Sequence, residues 1–480
     1  MNKKIFFDNI FFFLLLLGAF SIIGSSYVGL NGNHVWRQSD AYSQILGFMG
    51  IKGIMPLSDF FGKTAIYDMP IYQYLVARIS DLLKAEPLVV SKYFNFLFWL
   101  ILLQSGGLIA DKFEKGSAVI FWILVSTSPL FLHYYATPLP DVMAVSLSVM
   151  AVAILILKNN NTKFALVAVA LFIIAALIKS PIPFVFLVFY GVYLLVFYES
   201  AHNCRRFYLI NGLVFVTSLV SALTAEAIRK VILNTNVAGF SQDPVWYFGT
   251  FKNRINAELW HMVYVRITQA TSFRITAIIL FVTIVIYIFI QQKNAIRNLA
   301  PFIIAFFSGW LTFTNLYYVH DYYQLPSMVV FFVASSIVVH FLIKWLNDKK
   351  WVSAVKRTGC SFSEIIVIAL VLLTPFIMLK MPKISKYETE NIYDSIRYAL
   401  RDLKEFVWIT DQLDDPIIGG LTKTKFKVVN KNDLEKNCEQ ILSSNTAVLI
   451  NGESSCLKEH KVSATTYIED AGYQLYVNKK

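Results

Sequence analysis

The sequence predicts an all-α polytopic membrane protein of about eleven transmembrane helices, followed by a small C-terminal α/β domain outside the membrane. Three observations carry this. Of 480 residues, 56% are hydrophobic and only 15% charged, with a mean hydropathy of +0.56; a soluble domain is roughly 25% charged. Apolar runs of about 20 residues, the length a helix needs to cross hydrocarbon, recur along most of the chain, so a cleaved signal segment does not explain them. From residue 383 onward the pattern changes: that segment holds 14 basic and 15 acidic residues, against 29 and 16 in the remainder.

In chain order, the apolar runs lie near 10–30, 88–110, 117–133, 141–157, 163–179, 182–198, 207–228, 274–290, 299–319, 324–343 and 362–380. The runs 163–179 and 182–198 are separated by Ser180-Pro181, with Pro183 just inside the second, which predicts a tight helical hairpin. Lys3 and Lys4 precede the first run and place the N-terminus in the cytoplasm, because short cytoplasmic segments are enriched in Lys and Arg. Alternation then puts Lys158, Lys163, Arg205, Arg206, Lys293 and Arg297 inside too. The short turns near 134–140, 180–183 and 320–323 are almost free of Lys and Arg and fall outside. An odd number of spans makes the C-terminal segment extracytoplasmic.

The first outer loop, about 31–87, contains two helical patterns. Ser39 is placed to cap a helix with Tyr42, Ile45, Leu46 and Met49 on one face, which sets Asp40 in its first turn beside the positive end of the helix dipole. A second helix begins after Pro70 and carries Tyr74, Leu75, Arg78, Ile79 and Leu82; both patterns suit a membrane surface. Residues 1–381 therefore form the transmembrane part. In 382–480, helix-like stretches (Glu390–Lys404, Asn432–Ser443) alternate with β-rich ones (Phe406–Thr410, Ala447–Ile450, Gln474–Val477). Cys438 and Cys456 share this segment and are free to pair if it lies outside; no Cys/His spacing for zinc is present. The basic surplus belongs to the membrane body, which fits anionic lipids rather than nucleic acid.

Four polar features fall on the outer side: His34-Val35-Trp36-Arg37-Gln38-Ser39-Asp40-Ala41-Tyr42, the turn Thr137-Pro138-Leu139-Pro140-Asp141, Lys179-Ser180-Pro181, and His320-Asp321-Tyr322-Tyr323. A carboxylate and a guanidinium at the mouth of a membrane body suit chemistry on a lipid-linked phosphate. With Pro70-Ile71-Tyr72-Gln73-Tyr74, these segments resemble the GT-C glycosyltransferases. They are similar in particular to the bacterial family-39 branch, which includes relatives of protein O-mannosyltransferases and of the lipid A aminoarabinose transferase; the resemblance covers about residues 1–380.

The resemblance implies inverting transfer of one sugar from a polyprenyl-phosphate carrier to an envelope glycan, lipid or protein, at the outer face of a bacterial inner membrane. Such a reaction needs a base for the acceptor hydroxyl and cations for the departing phosphate. Asp40 is the candidate base, or else an acid placed only for the helix dipole. Asp141 matches the family's second acidic position, and also suits a helix start after Pro140. Arg37 and Lys179 are candidate phosphate ligands, with ion pairing to Asp40 and snorkelling as the plainer alternatives. His320, Tyr322 and Tyr323 match the late motif of the family, where an interfacial aromatic belt is the competing explanation. Trp36 and Tyr72 are weaker candidates for acceptor or sugar contacts.

Two departures bear on the chemistry. Ser39 stands before Asp40 where mannosyltransferase-type relatives have a second acid. Met69 precedes Pro70 where aminoarabinose-transferase-like relatives have lysine, which leaves phosphate contacts to residues such as Lys63 or Arg37. No Asp-x-Asp occurs in the first loop, so an oligosaccharyltransferase-like divalent metal site is not expected; the reaction is expected to be metal-independent, with no cofactor besides the polyprenyl-phosphate sugar as substrate. The rival classes are a transporter or flippase of a lipid-linked sugar, and a polymerase or ligase of lipid-linked glycans. A transporter usually places its ionisable groups near the bilayer midplane in repeated halves; here they gather at one interface and no repeat is visible.

Overall fold

The computed structural model describes residues 35–49, 58–60, 68–158, 161–197, 204–233, 244–271, 274–291 and 293–348, and in the C-terminal part 405–409, 425–429, 431–440, 447–451, 455–456, 466–468 and 473–477. The expected spans 10–30 and 362–380, the stretch 390–404, His34, Lys63 and the side chain of Trp36 lie outside the described residues.

The first half runs α1 (Val35–Phe48), β1 (Ser58–Phe60), α2 (Ile71–Leu83), α3 (Pro87–Phe113), α4 (Ala118–Ser126), α5 (Pro129–Tyr135), α6 (Asp141–Leu157), α7 (Thr162–Lys179), α8 (Pro181–Phe197) and α9 (Cys204–Leu233). Then come α10 (Pro244–Phe248), α11 (Phe251–Ile255), α12 (Ala257–Ala270), α13 (Arg274–Gln291), α14 (Lys293–Thr312), α15 (Thr314–Val319), a 3-10 turn (Asp321–Gln324) and α16 (Leu325–Asp348). The last elements are β2 (Glu405–Ile409), β3 (Lys425–Val429), α17 (Lys431–Lys436), β4 (Ala447–Asn451), β5 (Thr466–Ile468) and β6 (Tyr473–Val477).

Among the described residues, five helices are long and apolar enough to cross a membrane, or six if the bent pair α4–α5 is one span; α6, α8 and most of α13 are shorter apolar helices. The body is thus a helical membrane architecture. Two of the expected spans differ in outline from the runs read in the sequence. The run 117–133 is two helices meeting at 68°, because Ser128 is driven to extended geometry by Pro129, which then starts α5. The run 299–319 instead begins at Lys293 and stops at Thr312; Phe313 leaves helical geometry, and α15 is a separate six-residue helix.

The helical core centres on α6, which is buried on nearly all faces and packs against α3, α7 and α8. α14 lies between α8 and α16. α2 buries Tyr72, Gln73, Val76, Ala77 and Ser80 and leaves Tyr74 and Leu82 exposed. That is one face on protein and an apolar edge turned outward, the pattern of a helix at a lipid boundary.

The strands form one six-stranded sheet in the order β1-β3-β2-β4-β6-β5. β1 through β4 pair in parallel, and β6 and β5 are antiparallel. Alternation along the strands gives the sheet two buried faces. Ala447, Leu449 and Leu475 join the core of the helical body, while Val407, Ile409, Val448, Ile450 and Tyr476 form a second core with Leu434 and Cys456. A disulfide joins Cys438 to Cys456. The edge strand β1 comes from the first loop, a pairing with no counterpart in the sequence reading.

Candidate active site

α1 begins at Val35, so Asp40 lies in its second turn and Ser39 is inside the helix rather than its cap. The reason is that Arg37, Gln38, Ala41, Gln44 and Ile45 are all buried, extending the inward face one turn upstream. Arg37 and Asp40 thereby become neighbours at i, i+3, with Nη1 donating to Oδ2 at 2.6 Å. Gln44 Nε2 approaches both Asp40 oxygens at 3.3 Å from one turn further on.

Three other elements converge on this pair. Asp68 precedes Pro70 at the entry to α2, and the Met69 amide donates to the Leu177 carbonyl at 3.2 Å, which holds this stretch against the last turn of α7. The Asp68 carboxylate accepts from Arg37 Nη2 and, at 3.1 Å, from Lys179 Nζ. Asp141 opens α6 after the turn 137–140, which Asn95 fixes by donating to the Thr137 carbonyl at 2.6 Å. Asp141 pairs with Lys179 at 3.5 Å. Its carboxylate oxygens otherwise accept no hydrogen bond among the described residues.

Exposure of these five side chains is 5% or less (Arg37 4%, Asp40 5%, Asp68 5%, Asp141 0%, Lys179 2%). Charges this deep persist only when paired, and here three carboxylates interleave with two cations. Among the described residues no group of three or more His, Cys, Asp or Glu side chains is arranged to hold a metal ion. Burial pushes the Asp40 carboxyl above the usual carboxylate range, against the opposing pull of Arg37, Gln44 and Lys179.

The turn before α16 closes the cluster. Lys179 Nζ lies 5.0 Å from the ring centres of both Tyr322 and Tyr323, within cation–π range. His320 stacks on Tyr322 at 5.1 Å and meets Trp246 at 6.3 Å. Asp321 accepts from Tyr134 and pairs with Arg266 of α12 at 3.6 Å. The structure therefore brings Arg37, Asp40, Asp141, Lys179, His320, Tyr322 and Tyr323 together. Tyr72 is buried against Phe94 between α2 and α3, and no hydrogen bond or ion pair among the described residues joins it to the cluster.

Sequence reasoning missed Asp68, Arg266 and Tyr134. Asp68 carried a usable signal, an acid directly before the Met-Pro that opens α2. Arg266 sits unremarkably in an amphipathic helix, and Tyr134 is one of many interfacial aromatics.

No protein-family model matches the sequence, and a search of curated proteins finds no match. Solved structures do match, and they show the fold to be that of the GT-C glycosyltransferases. ArnT from Cupriavidus metallidurans bound to undecaprenyl phosphate has a TM-score of 0.62 at 11% identity, over 99% of this chain and 98% of that one. The archaeal oligosaccharyltransferase AglB from Archaeoglobus fulgidus, in complex with an inhibitory peptide and a dolichol-phosphate, has a TM-score of 0.61 at 11% identity, over 94% and 70%. The arabinofuranosyltransferase AftD from Mycobacteria has a TM-score of 0.56 at 11% identity, over 99% and 40%.

Proposed function

We propose that this GT-C-fold chain transfers a single sugar, hexose or pentose, from a polyprenyl-phosphate carrier to a hydroxyl of an envelope glycan, lipid or protein, with inversion. The observation that carries the reading is the buried cluster of Arg37, Asp40, Asp68, Asp141 and Lys179 where helices of a membrane body end. Such a pocket combines a base with cations for a lipid-borne phosphate. The lipid-bound and peptide-bound states of the solved structures lend it support.

In the proposed step Asp40 takes the acceptor proton, and the freed oxygen attacks the anomeric carbon from the face opposite the phosphate. The bond between that carbon and the phosphate oxygen breaks, and the leaving phosphate takes the electron pair. Its developing charge meets Arg37 and Lys179, with Arg266 and the Tyr322 and Tyr323 hydroxyls at the rim. Preorganised donors in a water-poor site act more strongly than in bulk solvent. The raised Asp40 carboxyl is a stronger base than an exposed one. Asp141, with unfilled acceptor capacity, orients the sugar or the acceptor. Side-chain cations neutralise the leaving group, so the reaction is read as metal-independent. The site and the C-terminal sheet are assigned to the outer face, which the Cys438–Cys456 disulfide supports because disulfides persist in oxidising compartments.

The test is a folded Asp40→Asn variant assayed for sugar transfer; a loss of roughly 10²–10⁴-fold is expected for a general base, and a wild-type rate would remove the centre of the reading. The bend between α4 and α5 is a feature that a transporter of lipid-linked sugar would share. Mass analysis of polyprenyl-phosphate sugars in a strain lacking the protein separates the two. Accumulated donor on the outer leaflet supports transfer, and donor stranded on the inner leaflet supports transport.

A further inference from the structure

Asp68 occupies a place in the cluster that base and phosphate chemistry leave unexplained. Its Oδ2 alone receives both Arg37 Nη2 and Lys179 Nζ, one oxygen bridging two cations as a phosphate oxygen would. The five-residue cluster holds three carboxylates against two cations, so an incoming anion has no uncommitted charge to meet there. We infer that Asp68 is the resident anion of the donor-phosphate site, holding Arg37 and Lys179 in place and giving them up when the donor arrives. This rests on the function proposed above.

The exchange is balanced. A polyprenyl-phosphate sugar is a phosphodiester with one negative charge, so it replaces the Asp68 carboxylate one for one. The remaining ions already have partners, Asp40 with Arg37 at 2.6 Å and Asp141 with Lys179 at 3.5 Å. Among the described residues Asp141 accepts no hydrogen bond in its present position, which leaves room for it to take a closer hold on Lys179 when Asp68 leaves. The Met69–Leu177 backbone bond keeps the segment anchored while the side chain turns away.

A protein whose site is partly self-occupied binds its ligand more weakly by the fraction that is open. Undecaprenyl phosphate is therefore titrated against purified wild type, Asp68→Asn and Asp68→Glu in detergent by native mass spectrometry, with uncharged undecaprenol as the control. Asp68→Asn should bind the phosphate about tenfold or more tightly than wild type, undecaprenol binding should not change, and Asp68→Glu should gain nothing. A purely structural ion-pair role predicts the reverse, so equal or weaker phosphate binding by Asp68→Asn overturns the inference. So does a gain by Asp68→Glu equal to that of Asp68→Asn, or failure of Asp68→Asn to fold. If wild type and variant bind the phosphate alike, only this inference falls. If neither binds it, the proposed function falls as well.

Discussion

A buried carboxylate serves as a base only when ionised, and that gives Asp40 a pH signature. Burial raises its pKa, with Arg37 the largest opposing influence, so the ionised fraction falls away at a higher pH than for a free aspartate near 3.9. Transfer should then climb with pH through an acid limb lying above that value, and Arg37→Gln should push the limb further upward. Measuring kcat/KM from pH 4 to 8 decides it, since a limb at or below the free-aspartate value would mean that Asp40 is not the titrating base. Arg37, Asp40, Asp141 and Lys179 were legible because charged side chains bordering long apolar runs are costly and therefore informative. Asp68 was passed over, because its one signal, an acid before the Met-Pro that opens α2, carries no such cost until the fold buries it between two cations. Arg266 was hidden for a related reason: an arginine on an amphipathic helix reads as a solvated face until Asp321 is seen beside it.

Between elements, the close approach of α14 to α15 sets the position of the aromatic turn. A Cβ at Gly309 would run into the ring of Tyr317, which is fully buried, packs on Trp310 at 5.3 Å and stacks toward Tyr323 at 6.4 Å. Gly309→Ala should therefore overpack this contact, at a cost of about 1–3 kcal/mol in stability, and lower transfer by displacing Tyr323. Gly212 on α9 has nothing within 4 Å of a built Cβ, so Gly212→Ala should be neutral or stabilising by up to about 1 kcal/mol. Thermal unfolding of the two variants in one detergent compares them directly, and equal melting temperatures would contradict the packing argument. Among the described residues the long apolar helices were legible at this scale, because hydropathy reports burial in lipid or protein. The breaks at Ser128 and Phe313 were not, since a hydropathy window averages across a single residue of altered backbone. β3 was missed because Lys425-Phe426-Lys427 alternates charge with one aromatic, and β1 because three residues acquire strand character only through their partner.

At the scale of the molecule, the C-terminal sheet is tied to the membrane body in two ways: Ala447, Leu449 and Leu475 enter the main core, and β1 of the first loop extends the sheet beside β3. That loop connects Asp40 to Asp68, so the sheet and the ionic cluster share one stretch of chain and must lie on the same side of the membrane. The disulfide then reports on the side of both. Closing an 18-residue separation stabilises by about 3 kcal/mol in the chain-entropy account, which makes reduction costly in place and the bond a durable marker. In intact spheroplasts, a membrane-impermeant maleimide should fail to label Cys438 and Cys456 until an impermeant reductant is added, and then label them from outside. The variant Cys204→Ser/Cys360→Ser removes the two remaining thiols and makes the signal unambiguous. Labelling that appears only once the membrane is opened would put the sheet in the cytoplasm, and Asp40, Lys179 and the proposed acceptor chemistry would have to move there with it.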